Sequence, residues 1–154
     1  IQLRALLLHN VYLAVRGFSG QLDVAFAERV LLAYREALGL RSRFNREIMI
    51  GNAAMLAERG ELAEARQEFA KIPESELVGD GTDLAVIYYY LAIGETGRAV
   101  QRLLEAARRD TWHHGARDGS SLRASMYRMS DFDRLRAHPR FVELVTIPEE
   151  ENPL

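Results

Sequence analysis

The sequence predicts an all-α protein, a stack of paired helices with no sheet. Three observations predict it: apolar residues recur at helical spacing in one segment after another, alternation of period two is nowhere sustained, and a helix–turn–helix pattern repeats after 34 residues. The 154 residues are one domain's worth of chain, with 48% hydrophobic and 27% charged residues, the balance of a folded globular protein.

The first stretch, Leu3 to Val15, is strongly apolar, interrupted by His9 and Asn10 and flanked by Arg4 and Arg16. A bilayer span needs about 20 apolar residues, so a buried first helix is expected instead. No small-residue cleavage site follows it, which argues against a signal peptide. From Leu22 to Leu38 the stripe is Leu22, Ala25, Phe26, Val30, Ala33, Tyr34, Ala37 and Leu38, with Glu28, Arg29, Arg35 and Glu36 on the other side. Leu62, Ala65, Phe69 and Ile72 form the next stripe before Pro73 ends the run. Leu84 to Ile93 is apolar nearly all round, so it is either buried on several sides or offers an apolar surface to a partner. Ala99, Leu103 and Ala106, with Val100, Leu104 and Ala107, give a further stripe.

The internal repeat organises these helices. Gly60 and Gly94 each sit in a tight turn and are 34 residues apart; each is followed five residues later by alanine (Ala65, Ala99) and four beyond that by a bulky apolar residue (Phe69, Leu103). Leu56 and Tyr90 precede the glycines by four. Glycine allows the bend between two antiparallel helices, and alanine lets them approach where they cross. Gly20, with Ala25 five later, begins an earlier unit at a less regular spacing of 40. The helical hairpins are placed at 3–38, 43–72 and 82–109, a closing cap at 119–146 and a polar tail at 147–154.

A 34-residue helix–turn–helix period resembles the tetratricopeptide repeat. The resemblance spans residues 5 to 110. It departs from the family pattern at the aromatic near the start of the first helix and in its proline, Pro73, which comes early; a neighbouring class of helical solenoid stays open. Phe132-Asp133-Arg134-Leu135-Arg136-Ala137-His138-Pro139-Arg140-Phe141, with Leu144 after it, is similar to the closing segment of bacterial members of the family. Phe132, Leu135, Phe141 and Leu144 are expected to pack on the last open face, with Pro139 starting a short helix and Ser130 with Asp133 capping the turn before it.

What the resemblance implies is a right-handed α-α superhelix of about three hairpins with a short helical cap, whose first helices line a concave groove. By that alignment the groove residues are Asn10 and Ala14, then Glu47, Ile50, Ala54 and Glu58, then Leu84 and Tyr88. Tyrosine suits a binding groove, being flat and apolar with a hydrogen-bonding tip. The competing expectation is that Leu84 and Tyr88 pack on the helical tail. The basic clamp with which some members hold a peptide's terminal carboxylate is missing, because the matching positions are mostly small or apolar.

Charge is uneven. Residues 1–97 carry 10 basic and 13 acidic side chains, residues 98–140 carry 10 and 5, and residues 141–154 carry none and 4. A basic patch is thus a second candidate surface, with Arg102, Arg109, Arg123 and Arg128 as its residues, facing either an acidic partner or the acidic tail Glu149-Glu150-Glu151. The net charge of −2 gives no global attraction to nucleic acid, and aromatic residues are not interleaved with the arginines.

Catalytic and metal constellations are not found. Cysteine is absent, which excludes a disulfide framework, a thiolate nucleophile and a thiolate-bound metal, and fits a reducing compartment. His113 and His114 are adjacent and diverge, with His9 and His138 distant in sequence. Gly17-Phe18-Ser19-Gly20 lacks the second glycine of a nucleophile elbow. Gly79-Asp80-Gly81-Thr82-Asp83 has neither the ligand spacing of a calcium loop nor the lysine of a phosphate loop, and Asp80 or Thr82 is expected to cap the next helix. No catalytic residue, cofactor or metal is therefore expected.

The expectation is a cytoplasmic protein-interaction module or scaffold within a larger bacterial regulatory or assembly protein, binding a protein or peptide in the groove. A ligand-sensing regulatory domain is the alternative. Bacterial origin follows from arginine usage, Lys71 being the sole lysine among 20 basic residues, and the chain opens on Ile1, as a fragment would. The apolar first helix (Leu6, Leu7, Leu8, Val11, Leu13, Val15) is not a polar cap, so upstream chain or a second copy is expected to cover it.

Overall fold

Asp23 begins the first complete helix of the computed structural model: its carboxylate accepts the N–H of Phe26 at 2.9 Å, and α1 (Val24–Ala37) follows. The structure describes residues 1, 3–5, 7, 8, 11, 23–38, 45–78, 82–108 and 130–145. After α1 come α2 (Asn45–Glu58), α3 (Leu62–Phe69), a 3-10 turn (Glu74–Glu76), α4 (Thr82–Ala92), α5 (Thr96–Arg108), a second 3-10 turn (Ser130–Leu135) and α6 (Pro139–Val145). Residues 3–5, 7, 8 and 11 are also helical, and no strand occurs among the described residues. The fold is all-α.

Two turns repeat the same geometry. At the end of α2 the N–H of Gly60 donates to Ala57 O and that of Glu61 to Leu56 O; at the end of α4 Gly94 donates to Leu91 O and Glu95 to Tyr90 O. This paired arrangement caps the last carbonyls of a helix and needs a left-handed residue at its centre. Gly60 has φ 83° and Gly94 φ 80°. The carbonyls of Glu61 and Glu95 then accept Ala65 N and Ala99 N, opening α3 and α5. The repeat read from the sequence is thus a repeat in backbone conformation.

The hairpins stack through their first members. α2 packs against α1, α3 and α4, while α4 packs against α5, and α5 against the second 3-10 turn and α6. Every residue from Ile50 to Ala57 is buried, as is every residue from Val86 to Leu91. Each run exceeds one full turn of about 3.6 residues, so the helix has neighbours on all sides. Phe69 of α3 stacks on Tyr89 of α4, ring centroids 3.8 Å apart and nearly parallel, which joins the two hairpins. On the outer side Arg35 reaches Glu64 at 3.6 Å, Arg59 reaches Glu28 at 4.0 Å and Arg66 reaches Glu95 at 3.7 Å. Such exposed pairs contribute about 0–1 kcal/mol each, so they mark neighbours more than they hold them.

The α1 stripe is buried as expected at Val30, Ala33, Tyr34 and Ala37, and differs from it at its edges. Ala27, Val30, Leu31, Ala33, Tyr34 and Ala37 are buried, whereas Ala25 is exposed and Phe26 half-buried beneath Arg29. Tyr34 is fully buried, its ring over Gly51 in the middle of α2, where a Cβ would lie 2.5 Å from Cζ and overlap the hydroxyl. Burial pushes the Tyr34 phenol far above its usual range. Glycine inside a helix costs about 1 kcal/mol relative to alanine, and here it makes room for a tyrosine. Gly51→Ala is therefore expected to destabilise the protein by about 1–3 kcal/mol, the cost of overpacking, against its better helix propensity. Urea unfolding checks this; a variant as stable as the parent would show that the two helices separate freely.

Candidate functional site

The expected groove face of α2 carries Glu47, Ile50, Ala54 and Glu58. Glu47 and Glu58 are eleven residues apart, three turns and about 16 Å, on one side of the helix. Both are half-buried; Ile50 between them is 0% exposed and Ala54 is buried. Ile50 is therefore a core residue, a correction to its assignment as a contact residue. Glu47 pairs with Arg46 at 3.4 Å, but its second oxygen is buried without a hydrogen-bond partner, as is Asn52 Oδ1 a turn further on. Unmade bonds of that kind cost about 1–3 kcal/mol each.

On α4, Tyr88 is 8% exposed and its ring lies 5.6 Å from that of Phe132 in the closing segment. The competing expectation, packing on the tail, describes Tyr88 in this structure. Phe132, Leu135 and Phe141 are all buried, with Phe132 and Phe141 nearly parallel at 6.4 Å, and α6 starts at Pro139 as the sequence predicts. Leu84 lies in the first turn of α4, its side chain outside the described set, and Asn10 lies outside the described residues.

The basic patch is reduced to one described residue. Arg109, Arg123 and Arg128 lie outside the described residues, as do His113, His114, the Gly17–Gly20 turn and the acidic tail. Arg102 is present but engaged. Its side chain is only 12% exposed, with Nε 3.0 Å from Asp83 Oδ1 and Nη1 3.5 Å from Glu105 Oε2. The Nε–H is not aligned as a hydrogen bond and Nη2 has no acceptor, so the contact with Asp83 is one of charge. Asp83 sits in the first turn of α4, where the helix dipole favours a carboxylate. Arg102 thus ties α5 to the start of α4 and is not a free surface cation.

An apolar surface lies at the other end. Leu3, Leu7 and Val11, at i, i+4 and i+8, are 71%, 62% and 44% exposed, whereas Ala5 is buried and Leu8 packs against the core. Val24 and Leu32 of α1 are also exposed. No helix among the described residues is long and apolar enough to cross a membrane. No cluster of three His, Asp or Glu side chains able to hold a metal occurs among them either.

No family model, curated protein or solved structure matches this chain.

Two outcomes follow from this geometry. Arg102→Ala removes a charge partner of the buried Asp83 carboxylate and is expected to cost about 1–3 kcal/mol in urea unfolding, part of it regained in an Asp83→Leu, Arg102→Met double variant. A neutral Arg102→Ala would return Arg102 to the surface patch. Leu3→Ser with Leu7→Ser is expected to convert a self-associated form into a monomer of unchanged helicity. A sedimenting monomer both before and after would remove the case for a second copy on this stripe.

Proposed function

We propose that the chain is a protein-interaction module of the tetratricopeptide-repeat kind, a helical array that holds a protein or peptide partner. The observation that carries the reading is the duplicated hairpin, two left-handed glycine caps 34 residues apart that close α2 and α4, with those two helices packed side by side. An array of this design commits its apolar surface to stacking neighbours and leaves the rims of its first helices for recognition. Glu47 and Glu58, half-buried on one face of α2, mark that rim. Placement in a bacterial regulatory or assembly protein in the cytoplasm belongs to the same proposal, resting on the resemblance and on the arginine usage.

Site-specific photo-crosslinking in the native host tests it. A crosslinking residue at Glu47 and at Glu58 is expected to trap one and the same partner, while the same residue at Glu36, exposed on α1, traps none. Products from Glu36 alone, or from no position, would refute the rim as the binding surface.

A further inference from the structure

Among the described residues nothing requires Gly97 to be glycine. It lies in the first turn of α5, and unlike Gly60 and Gly94 it is not among the positive-φ glycines. A Cβ there would meet nothing within 4 Å, so no neighbour demands its absence as Tyr34 does at Gly51. Glycine in a helix is less favourable than alanine, and where the fold gives no return the remaining use is close approach of another molecule to the backbone.

Gly97 lines a cleft of about 420 Å³ between α5 and the closing segment, a size typical of ligand sites. The α5 wall adds Val100, Gln101, Leu104 and Glu105, and the opposite wall is His138 and Arg140. Glu105 is already occupied: Oε1 accepts Gln101 Nε2 at 3.1 Å and Oε2 lies near Arg102. Arg140 is exposed and has no ion-pair partner among the described residues. The His138 backbone carbonyl accepts from Phe141 N–H and Val142 N–H at the start of α6, while its Nδ1 is buried without a partner among the described residues. The cleft therefore places Arg140, a cation with no ion-pair partner among the described residues, across from the half-buried Leu104 and beside the open backbone at Gly97.

We propose that this cleft binds a short peptide segment of a protein partner, with an acidic side chain on Arg140 and an aliphatic one on Leu104, passing over Gly97. The proposal rests on the interaction-module reading and gives that module a second, chemically specified surface away from the α2 rim. A guanidinium pairs with a carboxylate in a planar, two-pronged geometry. The cleft selects a peptide because it needs a charge, an apolar contact and room against a helix backbone together.

A phage-displayed random peptide library panned against the full chain tests this, followed by fluorescence anisotropy of the enriched peptide on the parent, Arg140→Ala and Gly97→Leu. The selected peptides are expected to carry Asp or Glu close to an aliphatic residue. Affinity is expected to fall about five- to tenfold in Arg140→Ala and at least as much in Gly97→Leu. Gly97→Leu fills the cleft mouth while improving helix propensity, so its thermal melt should match or exceed the parent's, which separates blocking from unfolding. Peptides that bind both variants within twofold of the parent would overturn the cleft and leave the interaction module standing. No enrichment above an unrelated helical protein would overturn both.

Discussion

The arrangement of this protein depends on a backbone constraint met twice, a residue with φ near +80° closing α2 and again closing α4. Only glycine adopts that conformation without cost from its side chain. Because the caps are alike, α3 and α5 leave their turns in the same way, each pinned by an N–H donated to the Glu61 or Glu95 carbonyl. Alike turns set the two hairpins, α2–α3 and α4–α5, on the same course, and the hairpins pack together through α2 and α4. The Phe69–Tyr89 ring contact and the ion pairs from Arg35, Arg59 and Arg66 are consequences of that stacking.

Stacking has a price for recognition. α2 and α4 lie between their partner helices and each other, so residues that could have faced a ligand are drawn into the core. Tyr88 lies against Phe132, and Ile50 has no accessible surface at all. What remains for a partner lies at the margins: carboxylates at both ends of one face of α2, an exposed leucine stripe at residues 3–11, and the cleft where the closing segment meets α5. The closing segment both seals the array and, through His138 and Arg140, builds a new edge on it.

Much of the fold was legible because its signals are local. Gly60 and Gly94 announce themselves by spacing and neighbours, and Phe132, Leu135, Pro139 and Phe141 by the pattern of the closing segment. The rest depends on residues far apart in sequence. Nothing in the α1 stripe shows that Tyr34 must sit over Gly51, and Ala27 and Leu31 join the buried face only because neighbouring helices cover that side. Ile50 and Tyr88 satisfy a groove pattern as well as a core pattern, and only the packing of other helices separates the two. Arg102 looked like one of many surface arginines because its partner Asp83 lies in another helix, nineteen residues away. Gly97 carried a signal, a glycine in a helical run, whose meaning appears only once its surroundings prove empty.

The measurement that bears most directly on this account compares three glycines by urea unfolding: Gly60→Ala, Gly94→Ala and Gly97→Ala. If left-handed caps define the repeat, the first two each lose about 1–2 kcal/mol, similar to one another because nothing but backbone conformation is at stake, while Gly97→Ala is neutral or stabilising. Equal effects at all three positions, or no loss at Gly60 and Gly94, would contradict the claim that these two turns set the architecture.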